Sequence, residues 1–252
     1  MGISSTHYVF TQPMLMAWAA CCVIFGVSVS YLGAKKGWIK SDDAEKAALV
    51  LAPALEDEVD DTQATTDAML ATAAARECLD NPDEWKRTPY HLPTLRQGPE
   101  PPFHQGTMVG PDKIGAEPVV FMNRDLKQFV VIVPIGKLLC GHEGIVHGGV
   151  QATLFDEITA RPAMRNLPRN TALTASLKIN YRRPAVAGQM FVFRTQLTSI
   201  DGRKATVAAQ LEDGQGNVIS DAEALYISPK NMALPDRSHL LAEFESVYPS
   251  NF

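Results

Sequence analysis

The residues of this chain best equipped for chemistry are a glycine pair and a carboxylate eight positions further on. In the run His147-Gly148-Gly149-Val150-Gln151-Ala152-Thr153-Leu154-Phe155-Asp156, the glycines enter a stretch of helical spacing in which Val150, Leu154 and Ile158 form one apolar stripe, flanked by Gln151 and Phe155. A helix start exposes unpaired backbone N–H groups and the positive end of the helix dipole. Such a place binds an anion, or polarises a carbonyl oxygen as charge develops on it. With no side chain at Gly148 or Gly149, a ligand can approach the backbone closely. Asp156 has Ala152 and Ala160 four residues to either side, so there is room beside it. A carboxylate on so apolar a helix needs a partner or a task. The adjacent Glu157 fits a paired or solvent-facing acid better.

Spacing then constrains assembly. At about 1.5 Å rise per residue, Gly148 and Asp156 lie about 12 Å apart along one helix axis. An oxyanion donor and a base must both come within about 3 Å of one carbonyl. One helix cannot supply both, so two antiparallel copies must meet, giving two shared sites in a symmetric dimer.

The elements that position these residues are legible on either side. Pro118 to Asn123 and Gln128 to Ile135 are β-branched and aromatic runs about the polar turn Arg124-Asp125, and they read as a hairpin. A glycine-rich loop, Cys140 to Gly149, leads into the helix. Four strands follow: Leu173 to Tyr181, Met190 to Ile200, Ala205 to Glu212 and Val218 to Ile227. Asp201-Gly202 and Gly214 to Asn217 mark turns between them. Ser176, Lys178, Asn180 and Arg182 alternate with Leu177, Ile179 and Tyr181, the pattern of a sheet with one wetter face. The absence of a second crossover helix from this pattern excludes a doubly wound parallel sheet. An antiparallel sheet covered by one central helix, an α+β roll, is predicted.

The run from His147 to Asp156 resembles the HGG…D helix of hotdog-fold acyl-CoA thioesterases, of the phenylacetate-pathway type and of the mitochondrial thioesterase superfamily members. The likeness continues in Thr174-Ala-Ser-Leu-Lys-Ile-Asn-Tyr-Arg-Arg-Pro184 and in Asp201-Gly-Arg-Lys204, and covers about 118–228. It implies the hotdog fold, a long helix wrapped by a curved antiparallel sheet, and hydrolysis of acyl-CoA thioesters. By position, the Gly148 N–H would polarise the thioester carbonyl, beside Gly149. Asp156 of the other subunit would activate water or attack the carbonyl itself. Thr174 would position the water or the carboxylate, and His147 would shape the turn. Thiolate is a good leaving group, so neither a metal nor a cofactor is expected. One departure stands out: many bacterial-type relatives carry Asn or Gln six residues before the histidine, where this chain has Gly141. That leaves the second group on the substrate carbonyl open, with His142 as a candidate. Arg182, Arg183, Arg203 and Lys204 could meet the phosphates of coenzyme A, because guanidinium forks suit phosphate oxygens. The run His142-Glu143 to His147 is one residue too long for a zinc-protease motif, and Gly144 breaks any helix there. The rival readings are a non-catalytic acyl-CoA-binding or assembly module at a membrane, and a hotdog dehydratase. The pairing of Asp156 with Thr174 favours hydrolysis.

The rest of the chain sets the context. A net charge of −5 without a basic block excludes nucleic acid as the main partner. Cys21, Cys22, Cys78 and Cys140 form neither a disulfide framework nor a metal clip. Met14 to Gly33 is uncharged and matches the roughly 20 residues that a bilayer span needs. Lys35, Lys36 and Lys40 follow it with nothing positive ahead, which places the later residues in the cytosol or the mitochondrial matrix. The organisation expected is an N-terminal segment 1–13, a single-pass anchor 14–33, an acidic and proline-rich linker with some helix 34–110, a hotdog domain 111–232 and a tail 233–252. Partners expected are an acyl-CoA, a second copy in a homodimer or a dimer of dimers, and a membrane. That membrane is taken as mitochondrial, with the endoplasmic reticulum as the alternative.

Overall fold

The computed structural model describes residues 61–90 and 103–230. The described residues from 62 onward hold the sheet and the central helix.

Helices α1 (Asp61–Leu70) and α2 (Ala73–Leu79) lead into β1 (Trp85–Thr88), β2 (Val119–Asn123) and β3 (Gln128–Ile135). A small hairpin, β4 (Cys140–His142) and β5 (Ile145–Val146), precedes the long helix α3 (Gly148–Asn166). Four strands complete the domain: β6 (Leu173–Tyr181), β7 (Gln189–Asp201), β8 (Lys204–Glu212) and β9 (Val218–Ile227). The main sheet is antiparallel throughout, in the order β1-β2-β3-β7-β8-β9-β6. Against its inner face lies α3, touching β3, β6, β7, β8 and β9. This is the hotdog arrangement. The strands expected from alternation appear within a residue or two of their predicted bounds, and Asp201-Gly202 makes its hairpin with Gly202 at φ +55°. The anchor expected at 14–33 lies outside the described residues. Among those that are described, no helix is long and apolar enough to cross a membrane.

The sheet starts earlier than the expected domain boundary at 111. Strand β1 pairs with β2, and α1 and α2 pack on the outer face. This explains why β2 and β3 are apolar on both sides. Val120, Met122, Phe129, Val131 and Val133 point in toward Leu154, Phe155 and Ile158 of α3. Val119, Phe121, Val130 and Ile132 point out, toward Met69, Ala74, Ala75 and Cys78. Further along the sheet the outer positions turn polar, and β6, β8 and β9 alternate as a half-solvated sheet does.

The helix is longer than the segment that the spacing marked. It ends where Leu167 turns extended (φ −101°, ψ 155°) ahead of Pro168, because proline disfavours helical backbone in the residue before it.

Candidate active site

The site is built from the start and the middle of α3 and the strand beside them. At the start of the helix His147 is the N-cap, with φ −58° and ψ 135°, and its Nδ1 accepts the Gly149 N–H at 2.8 Å. An imidazole nitrogen that accepts carries no proton, so the neutral ring is protonated at Nε2. The predicted turn-shaping part of His147 is thus visible as a cap. The Gly148 N–H, one residue earlier, meets no acceptor among the described residues. Above it lies Tyr181, whose hydroxyl donates to the Gly148 carbonyl at 2.8 Å.

Two turns along the helix, Asp156 is half-buried. Its Oδ1 accepts from the Thr174 hydroxyl at 2.7 Å. Strict alternation along β6 would put Thr174 on the outer face with Ser176, Lys178 and Asn180. A bulge decides otherwise: Thr174 pairs with Tyr226 and Ser176 with Leu225, so Ala175 is the extra residue. The bulge turns Thr174 inward to the carboxylate, as bulges beside functional sites do. Tyr226, buried on β9, also reaches Asp156, donating to its backbone carbonyl at 2.7 Å and to Oδ1 at 3.2 Å. Sequence reasoning missed this residue.

The remaining predicted site residues spread out. Glu157 is paired, at 3.1 Å from His104 Nδ1. His142 is exposed on β4. Beside it, a Cβ built on Gly141 would lie 2.6 Å from His147 Cδ2, so the amide side chain that many relatives carry there has no room while His147 caps the helix. The four cations divide into two pairs. Arg182 and Arg183 follow Tyr181 at one end of β6, and Arg182 is bound to Asp221. Arg203 and Lys204 sit at the other end, since Lys204, Ile227 and Leu173 are register partners. The ends are about 26 Å apart at 3.3 Å per residue. Arg203 is partly committed, holding the Ser228 carbonyl at 2.6 Å.

Helix N-terminus, glycine pair, inward threonine and carboxylate thus occupy one helix-and-strand unit. Residues 143–220 match the Thioesterase superfamily. Acyl-coenzyme A thioesterase THEM4 of Bos taurus is 32% identical over 117 residues, 46% of this chain and 47% of that protein. The uncharacterized mitochondrial membrane protein FMP10 of Saccharomyces cerevisiae is 29% identical over 112 residues, 42% of this chain and 45% of its own. Among solved structures, thioesterase superfamily member 2 from Mus musculus aligns over 40% of this chain and 75% of that one, with a TM-score of 0.38 and 20% identity. The chain spans about half the length of the curated relatives it matches first. Gly148, Asp156 and Thr174 fall within the matched residues, whereas α1, α2 and β1 to β4 lie ahead of them.

Proposed function

We propose that this chain hydrolyses acyl-CoA thioesters, with fatty acyl-CoA as the substrate class, at two sites shared between the subunits of a homodimer. One observation carries the reading: the two halves of the chemical equipment lie at opposite ends of the open edge strand β6. Thr174 with Asp156 marks one end, and Tyr181 with Gly148 marks the other. An open strand edge is a template for pairing with another chain, and Leu173 and Tyr181 are exposed along it, at 42% and 52%. If two copies of β6 pair antiparallel about a twofold axis between Leu177 and Lys178, Thr174 faces Tyr181 of the other copy. Asp156 then meets the helix N-terminus that its own chain holds too far away. Each composite site also collects all four cations, Arg203 and Lys204 from one subunit, Arg182 and Arg183 from the other, as the phosphates of coenzyme A require.

In this reading the Gly148 N–H holds the thioester oxygen as it becomes negative. Asp156 takes the proton of a water that attacks the carbonyl carbon, or attacks that carbon itself. The C–S bond then breaks, and thiolate leaves without needing a strong acid; in the second route water then opens the acyl–Asp156 anhydride, releasing the acid and restoring the carboxylate. THEM4 is named an acyl-coenzyme A thioesterase, which supports acyl-CoA hydrolysis. FMP10, named a mitochondrial membrane protein, and a relative from Candida albicans named mitochondrial support that organelle, with Met14 to Gly33 as the anchor. The test is release of free thiol from acyl-CoAs of increasing chain length by the full chain, wild type beside Asp156→Asn. Turnover lost in the variant supports the reading. A folded dimer that binds coenzyme A and turns over none of the series would make the domain a non-catalytic module.

A further inference from the structure

Asp156 is held by more than the predicted threonine. Tyr226 is 1% exposed, packed among Ala163, Leu167, Leu197, Val207 and Ala224. Its hydroxyl lies 2.8 Å from Thr159 Oγ1, which in turn donates to the Phe155 carbonyl at 2.6 Å. Thr159 has one proton and Phe155 takes it. The Tyr226 hydroxyl is then the donor of its cluster, with the Asp156 backbone carbonyl at 2.7 Å, Thr159 Oγ1 at 2.8 Å and Asp156 Oδ1 at 3.2 Å as its acceptors. Burial, and then the nearby Asp156 charge, push the Tyr226 phenol well above its usual range, so it stays a donor. Thr174 also addresses Oδ1. No donor among the described residues reaches Oδ2.

We propose that Tyr226 is a positioning residue of this site: together with Thr174 it pins Asp156 Oδ1, leaving Oδ2 as the oxygen that faces the substrate. Two donors from different strands, β6 and β9, fix both torsions of a short side chain, and with them the place of the free oxygen. This inference rests on the hydrolase reading above and assigns which atom acts. Reactive groups misplaced by about 1 Å lose about 100-fold in rate, so a loosely held carboxylate shows in turnover before it shows in binding.

Tyr226→Phe keeps the ring and removes only the hydroxyl. The expected result is a kcat lower by about 10–100-fold, with KM within about twofold, the signature of an interaction used in the transition state. A packing role alone would lower the melting temperature and leave kcat per folded site unchanged. The second readout is a double-mutant cycle with Thr174→Ala. Because both hydroxyls hold one oxygen, the double variant loses less than the product of the two single losses. Undiminished kcat in Tyr226→Phe, or a double loss equal to that product, overturns the proposal. If Tyr226→Phe does not fold, Thr159→Val keeps the shape and removes the acceptor that competes with Asp156 for the phenol proton. An undiminished kcat per folded site is then expected, and a severalfold fall overturns the proposal. Wild type that releases no thiol, or an Asp156→Asn variant that still does, removes the hydrolase reading as well. An active wild type, a dead Asp156→Asn and a normal Tyr226→Phe remove this inference alone.

Discussion

Replacing Gly148 by proline deletes one N–H and, by the geometry, little else. Gly148 is the first residue of α3, where proline is well tolerated because its missing N–H would be unpaired anyway. His147, at φ −58° and ψ 135°, already has the extended backbone that a following proline demands. A Cβ at position 148 meets the Tyr181 ring at 3.4 Å, an ordinary van der Waals contact that leaves the Tyr181 bond to the Gly148 carbonyl in place. The cap from Gly149 to His147 is untouched. The variant should therefore fold and dimerise, while kcat falls about 100- to 1000-fold, the usual loss of one oxyanion donor, or about 2.7–4 kcal/mol. Gly148→Ala, which keeps the N–H, should stay close to wild type. Mixing then tests the shared site. In a 1:1 mixture of Gly148→Pro and Asp156→Asn that exchanges freely, half of the dimers are mixed, and each mixed dimer has one intact site of two. Thiol release should recover to about one quarter of wild type, as twofold symmetry dictates. Mixed dimers confirmed by tag capture that stay inactive would refute the reasoning, because a site within one chain predicts no recovery.

Asp156→Asn should lower kcat by about three orders of magnitude or more, as for other groups that act as a unit, without loss of the folded dimer by circular dichroism and size-exclusion chromatography. Arg194→Ala removes a bond to Glu77 at 2.8 Å that ties α2 to the sheet and one to Glu212 at 3.2 Å that links β7 to β8. As Arg194 is partly exposed, the expected cost is about 1 kcal/mol in urea unfolding, with activity retained. Asp221 is held below the usual carboxylate range by Asn180 and then Arg182. A depressed carboxyl contributes stability that is present above its unfolded range and lost as pH falls through its folded value. Asp221→Asn should therefore reduce stability at neutral pH and flatten its decline in acid, as followed by melting temperature against pH.

Much of this fold was legible because its signals are local. β6, β8 and β9 alternate, the turns at Gly202 and Gly216 carry their own chemistry, and the glycine pair announces the helix. What was not legible depends on distant pairing. Trp85–Thr88 is a short, polar strand that gains its identity only by pairing with β2. α1 has no apolar stripe, and Met69 is its one buried residue. Thr174 sits on the wrong face by alternation, and a bulge fixed by β9 turns it inward. Tyr226 reads like any buried strand aromatic, since its contact with Asp156 spans 70 residues. The charges behave likewise: nothing local distinguishes Arg203, which holds a backbone carbonyl, from Lys204, which is exposed.

The helices on the outer face have a bearing on how many copies can gather. Sheets with a bare apolar back recruit one another, and the back of β2 and β3 is apolar. Here α1 and α2 already fill that place, so the chain caps itself where a neighbour would otherwise dock. In the proposed dimer, growth beyond a pair is left with the polar strip outside β6 to β9, a poor adhesive. The same cover sets a practical rule for anyone trimming the protein. A fragment begun where the family match starts, at residue 143, would lack three of the seven strands of the main sheet. One begun at 111 would expose Val119, Phe121, Val130 and Ile132 together, and insolubility of such a fragment would say nothing about its chemistry.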